Sequence, residues 1–420
     1  MTIAVGYRPH RVQVSGRAVE CCVVSVLLLF HTGAVTVLSF TDASGNLTAA
    51  GQRTLQMLLL PVYLVTISVA ARHPRQLLST LRGNLPFALL VALPFLSTLW
   101  SVSPSITLRR SIGLALSILL AYVVATRFTP RQFLLIVVAV LGTSMVCSLL
   151  FAVLAPQMAY MPVGHELRGV FNHKNVLGWN AAICILATAN LLVDRTANLR
   201  GLATVLLIAS FCCLLLSGSS TALVVSAASG FFTLVYTLLR RSRGATRIVL
   251  ILIAAQVALV GLMSIKVLVE LLAEGVGKDP SLTGRVPLWA LVDQNILQRP
   301  LLGHGYQAFW TQGNGEAWEI WTKLAWIAPH AHNGFRDWML SCGIIGTIPL
   351  LTVLWRVLAR GAWLHWHRPQ EGWLWLNVLI CVFIVMNLTE SLLLVQNSFL
   401  FIIFAAAVLM VSAGQGRPRA

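Results

Sequence analysis

Twelve apolar runs succeed one another along the 420 residues, at roughly 21–40, 55–71, 84–100, 106–126, 132–155, 176–193, 201–217, 220–239, 248–272, 336–356, 372–388 and 393–412. Each comes close to the ~20 residues that a helix needs to cross hydrocarbon. The runs are apolar on all sides, whereas a membrane β-barrel alternates apolar and polar positions. The pattern predicts an all-α fold, a polytopic membrane helix bundle of about 12 transmembrane helices. Composition agrees: 57% of residues are hydrophobic and 10% charged, against ~25% charged in a soluble domain. A cytosolic enzyme, a disordered chain and a disulfide-stapled secreted module are excluded. The first run follows Arg8, Arg11 and Arg17 as a signal peptide would, but at 20 residues it exceeds a signal core and reads as a retained helix. The eight cysteines lie in or beside apolar runs without metal-site spacing, and read as small buried apolar residues.

The formal net charge is +17. In a soluble chain that excess would suggest nucleic acid; here no nucleic-acid partner is expected, and two other sources compete. One is the positive-inside bias and the other an anionic substrate. With the N-terminus in the cytoplasm, nineteen of the thirty Lys and Arg residues fall on the cytoplasmic side, in the tails and in short loops such as Arg72–Arg82, Arg127–Arg131, Arg195–Arg200 and Arg240–Arg247. Both termini are then inside. The chain divides into 1–272 with nine helices, a hydrophilic loop 273–335 with interfacial helices, and 336–420 with three more helices. The loop falls on the outer face, which in a bacterium is the periplasm. It holds Trp289, Trp310, Trp318, Trp321 and Trp326, five of thirteen tryptophans, which read mainly as an aromatic belt at the lipid–water interface. A structureless loop of that length is uncommon unless it is functional.

Three clusters of chemistry-bearing residues share that outer side. They are Arg168-Gly-Val-Phe-Asn-His-Lys-Asn175, then Leu282–Trp289 with Pro300-Leu-Leu-Gly-His-Gly-Tyr306, and Pro329-His-Ala-His-Asn-Gly-Phe-Arg-Asp-Trp338. No DxD pair, HExxH helix, paired cysteine or Gly-rich nucleotide loop accompanies them. No cofactor or metal ligand set is therefore expected. What the residues offer is a guanidinium fork for phosphate and an imidazole for a proton. Each also has a plainer use. Juxtamembrane cations snorkel to headgroups, Asn172, Asn175 and Asn333 cap helices, and Gly303, Gly305, Gly343 and Gly346 permit turns or close packing. Lys266 and Glu270 read as a mutual pair, Glu390 as a cavity-lining group or a helix-end marker, and Arg336 and Asp337 as anchors at the membrane surface.

At these clusters the chain resembles the O-antigen ligase and Wzy-type polymerase superfamily, nearest to its exopolysaccharide-production branch. Arg168-Gly-Val-Phe-Asn-His-Lys-Asn-Val-Leu-Gly178 is similar to that family's Arg-Gly-x-Phe-x-x-Lys-Asn-x-x-Gly element. Gly284-Arg285, Trp289 and Pro300–Tyr306 resemble its loop signature, and His332-Asn333, nine residues, then Gly343 resembles its ligase motif. Ser217-Gly-Ser-Ser-Thr221 resembles a further segment but lacks that segment's Arg. The motif-bearing part runs from about 168 to 346.

The resemblance implies a GT-C-like, metal-independent, inverting glycosyltransferase of the bacterial inner membrane. Its donor would be an undecaprenyl-diphosphate-linked glycan, and its acceptor a glycan or lipid A–core. It implies His332 as the base and Arg285 and Arg168 as catalytic cations on the diphosphate. Lys174, Asn175, His330, Asn333, His304 and Tyr306 would bind substrate. A lipid-linked oligosaccharide transporter or flippase is the alternative, and a non-catalytic export scaffold a second one. Carriers often show two related halves, and this chain shows nine spans, a loop and three.

Overall fold

The protein is described by a computed structural model over residues 16–34, 49–72, 74–75, 77, 84–162, 164–194, 198–275 and 285–414. Arg8, Arg11, Arg82, Arg195 and Gly284 lie outside the described residues, as do the side chains of Arg17, Lys266 and Glu270. Among the described residues the regular structure is helical, apart from one antiparallel bridge between Tyr160 and Leu167. The main helices are α1 Gly16–His31, α2 Ala49–Ala71, α3 Leu85–Leu96, α4 Pro104–Arg127, α5 Pro130–Leu154, α6 Lys174–Val193, α7 Arg200–Ser217, α8 Ser220–Arg241, α9 Gly244–Gly275, α10 Arg285–Gln298, α11 Gly315–Leu324, α12 Gly334–His367, α13 Trp373–Thr389 and α14 Phe399–Ala413.

Six of these, α4 to α8 and α12, are long and apolar enough to cross a membrane, and six shorter apolar helices accompany them. The chain is a multi-pass membrane protein. The apolar runs mark the helices well, and local signals place their ends. Pro104 and Pro130 open α4 and α5 in the first turn, where no backbone donor is needed. Thr129 and Gln132 close a reciprocal capping box on α5. Several ends differ from expectation, the largest difference being that of α12, which runs on to His367 rather than ending near 356. The first helix stops at His31 rather than near residue 40, and the last begins at Phe399, which leaves residues 391–398 as a loop at the site described below. Three cysteines expected inside, Cys22, Cys147 and Cys212, lie exposed on helix surfaces. Apolar context does not distinguish the lipid side of a helix from its protein side.

Helix α14 is apolar all round and buried from Phe399 to Val411, so it forms the centre of the bundle. It packs on α4 and α13. Helix α12 is broken at Gly343, which adopts φ 56° and ψ −156°, a region essentially reserved for glycine. The break frees backbone groups that would otherwise bond along the helix. The 300–305 loop takes them up: His304 and Gly305 donate N–H to the carbonyls of Leu340 and Ser341, and Ile344 and Ile345 donate to those of Pro300 and Leu301. A Cβ at position 343 would meet Leu301 O at 2.3 Å. Gly343, separated from Asn333 by nine residues, thus locks the loop onto the broken helix. We expect Gly343→Ala to destabilise the protein by about 1–3 kcal/mol from backbone strain alone, read as a lower unfolding temperature in detergent. An unchanged melting temperature would contradict this account of the break.

Candidate active site

The site is built where the α10 start, the segment before α12 and the α13–α14 connection meet. Asn333 organises it. Its Oδ1 caps α12 by accepting the N–H groups of Phe335 and Arg336, and its Nδ2 donates to Leu388 O at 3.0 Å. Gly334 N–H donates to Glu390 O at 2.9 Å. A Cβ at Gly334 would meet Asn387 Oδ1 at 2.1 Å, so only glycine lets the two segments approach this closely. The short His-Asn-Gly string therefore fastens the start of α12 to the end of α13.

This fastening brings Glu390 beneath His332. Glu390 is 1% exposed. One of its oxygens accepts from Arg285 Nη2 at 3.0 Å, and the other lies 3.5 Å from His332 Nδ1. Arg285, 7% exposed, also donates through Nη1 to Thr389 O. Burial alone would raise the Glu390 carboxyl, but the His332 contact and the Arg285 charge outweigh it and hold the group below the ordinary carboxylate value. The carboxylate is therefore ionised and faces two cationic or basic partners. His332 itself sits in the left-handed region at φ 49°. Its ring stacks on Trp326 at 5.6 Å and touches the His330 ring at 4.1 Å between centroids. Its Nε2 is buried and bonds to nothing among the described residues. With Nδ1–H turned to Glu390, Nε2 carries a free lone pair.

His330 accepts the His332 backbone N–H on Nδ1 at 3.2 Å. Burial lowers it to about 3, with His332 and Arg285 acting in the same direction, so it stays neutral. The unfolded histidine, near 6.5, takes up a proton that the folded one refuses. Stability should therefore fall as pH drops below about 6.5. His330→Gln should make that acid loss smaller but not abolish it, because burial also lowers His173 and His304. Thermal unfolding between neutral and mildly acid pH reads this; a variant with the wild-type slope would contradict it.

The Arg168 segment converges on the same carboxylate. Burial and Lys174 lower His173, while the Glu390 and Glu166 charges oppose them. Glu390 is thus felt by His173 of the first sequence cluster and by His330 and His332 of the third. Arg168, 6% exposed, donates through Nε to Met158 O at 2.9 Å, while its buried Nη1 has no partner among the described residues. Lys174 is paired with Glu166 at 2.9 Å. The Asn175 N–H donates to His173 Nδ1, which makes His173 the cap of α6.

Other expected residues have different surroundings. His304 is fully buried between Asn295 O and Glu316, against Phe309, where it pins α10 to α11. Tyr306 is 1% exposed and donates to Leu394 O. Arg336 and Asp337 are not membrane anchors. Arg336 forms a two-bond pair with Asp293 and covers the Trp289 ring. Asp337 accepts from Ala331 N–H, Trp310 Nε1 and Ser391 Oγ. The loop tryptophans also have partners within the protein, while Trp318 and Trp326 keep exposed rings. The indoles of Trp289, Trp318 and Trp321 donate to backbone carbonyls, and Trp326 stacks on His332. Ser217 and Ser219 cap and pack around Gly178, whose added Cβ would meet Ser219 at 2.8 Å.

Fold and site together describe a multi-pass membrane protein with a buried basic centre around one imidazole. Residues 205–351 match the family model described as O-antigen ligase. That stretch contains Arg285, His332 and Gly343; Arg168 precedes it and Glu390 follows it. The chain is also similar to "Exopolysaccharide production protein ExoQ" of Rhizobium meliloti (strain 1021), at 28% identity over 267 residues. The alignment spans 61% of this chain and 60% of that protein's length. The resemblance to the O-antigen ligase and Wzy-type superfamily is borne out.

Proposed function

We propose that the protein is an inner-membrane glycosyltransferase that moves a glycan from undecaprenyl diphosphate to a sugar hydroxyl, as a polysaccharide polymerase or ligase. The observation that carries this reading is the Arg285–Glu390–His332 chain, which ends in an unpartnered Nε2. Glu390 fixes the ring orientation and stabilises the imidazolium that forms when His332 takes the acceptor's proton. The acceptor oxygen then attacks the anomeric carbon and the diphosphate leaves with the bonding electrons, inverting configuration. Charge grows on that leaving group. Arg168 has a free, desolvated Nη1 to meet it, and Lys174 and the remaining donor capacity of Arg285 add to the field. In this reading Arg285 mainly positions Glu390, since two of its nitrogens are engaged. The loop 273–335 and the site face the periplasm, with both termini cytoplasmic and twelve spans in all. The name of the relative tilts the reading towards polymerisation over ligation to lipid A–core.

The test uses the full chain in liposomes with a labelled diphosphate-linked glycan and an acceptor glycan. Transfer with equal release of undecaprenyl diphosphate supports the proposal. Movement of the intact donor across the bilayer, without bond cleavage, favours a carrier instead. The rate should be unchanged in EDTA. Loss of turnover in EDTA that added Mg²⁺ restores would contradict the metal-independent scheme.

A further inference from the structure

Beside the His330–His332 pair lies a cavity of about 190 Å³. An apolar cavity of about 150 Å³ holds a benzene ring, so this one has room for a single sugar ring. Its walls come from α4, the 306–310 turn, Pro329 and His330, the start of α12 and the 391–396 loop. Trp310 gives an aromatic face, Gln307 and Gln396 give amides, and His330 forms the side nearest the proposed base. Flat rings and side-chain amides are the usual equipment for a sugar's apolar face and its hydroxyls.

The cation in the wall is Arg110. Its Nη1 donates to the Gln307 backbone carbonyl, and among the described residues no carboxylate lies within ion-pair distance of it. The other cations near the site differ: Arg285, Lys174 and Arg336 are each paired with an acid. Asp337 also lines the cavity, but its oxygens are occupied by Ala331 N–H, the Trp310 indole and the Ser391 hydroxyl. A half-buried guanidinium without a counter-charge is costly unless an occupant supplies one.

We propose that this cavity receives the acceptor glycan and selects a sugar ring that carries a negative charge, with Arg110 as the specificity residue. Arg168 and Arg110, neither with an acid partner among the described residues, then divide the substrates, Arg168 for the donor diphosphate and Arg110 for the acceptor. The acceptor role rests on the glycosyl-transfer reading above; the preference for an anionic sugar rests on the cavity alone.

Binding of methyl glucuronide and methyl glucoside to the full chain in lipid nanodiscs tests it by saturation-transfer NMR. The wild type should prefer the glucuronide by about tenfold, the worth of one charge-assisted contact. Arg110→Gln should bring the two sugars level, and Arg110→Lys should keep a preference. Val395→Phe, which fills the cavity without touching its charge, should remove both, so the test survives a misfolded Arg110 variant. Equal binding in the wild type, no binding of either sugar, or an unchanged preference in Arg110→Gln would overturn the proposal. So would equal displacement by inorganic phosphate, the mark of a bare anion site. His332→Ala should bind as the wild type does. If binding holds while no transfer is ever seen, the anionic-sugar cavity stands and the transfer reading falls.

Discussion

Arg285→Ala will leave the protein both inactive and markedly less stable, by about 3–5 kcal/mol. Glu390 is 1% exposed and Arg285 is paired with it at 3.0 Å. Removing the guanidinium strands a carboxylate in a desolvated site, and it also drops the bond to Thr389 O at the end of α13. Glu390→Leu should do similar harm from the other side. The double variant Arg285→Met with Glu390→Leu separates structure from chemistry. A buried ion pair replaced by apolar groups of similar volume is often neutral or stabilising, so the double variant should recover much of its melting temperature. It should remain inactive, because nothing then orients His332. Recovery of turnover along with stability would show that the pair serves folding only. Arg285→Lys should retain part of the stability but lose most of the activity, since a point charge cannot serve Thr389 O and Glu390 together.

His332→Ala should cut transfer by roughly 10²–10⁴-fold, the usual worth of a positioned general base. The protein should still fold. The His332 side chain ties no two helices together: its ring stacks on Trp326, lies against His330, approaches Glu390 at 3.5 Å and leaves Nε2 free. The fastening of α12 to α13 runs through Asn333 and Gly334 instead. Donor binding should therefore survive in His332→Ala, while Arg168→Gln should weaken it. Turnover at the wild-type rate would remove the imidazole from the reaction.

Much of the fold was legible because membrane helices announce themselves through bulk hydrophobicity, and prolines and caps such as Thr129–Gln132 mark where they start. Gly343 was legible as a motif position, yet its cause was not. The break in α12 has meaning only once the 300–305 loop is seen bonding into it. The site was half legible. His332, Arg168 and Arg285 stood out through spacing and residue type. Glu390 was left between a cavity-lining group and a helix-end marker, because a lone carboxylate at a helix end looks the same whether it faces water or a histidine 58 positions earlier in the chain. His173 was hidden in a quoted motif for a similar reason: its cap on α6 and its sensitivity to Glu390 are tertiary facts. Arg110 was invisible, since an arginine near a helix end ordinarily signals lipid headgroups. The partners of the loop tryptophans were not legible, because an indole serves an interface and a carbonyl equally well.

The most direct test of the account is single-turnover transfer by His332→Ala with imidazole added to the buffer. The proton-acceptor role predicts that free imidazole restores part of the lost rate, in proportion to its concentration, and that it does nothing for Arg168→Gln. A rate that stays at the variant's floor at every imidazole concentration, in a protein that still binds donor and acceptor, would contradict it.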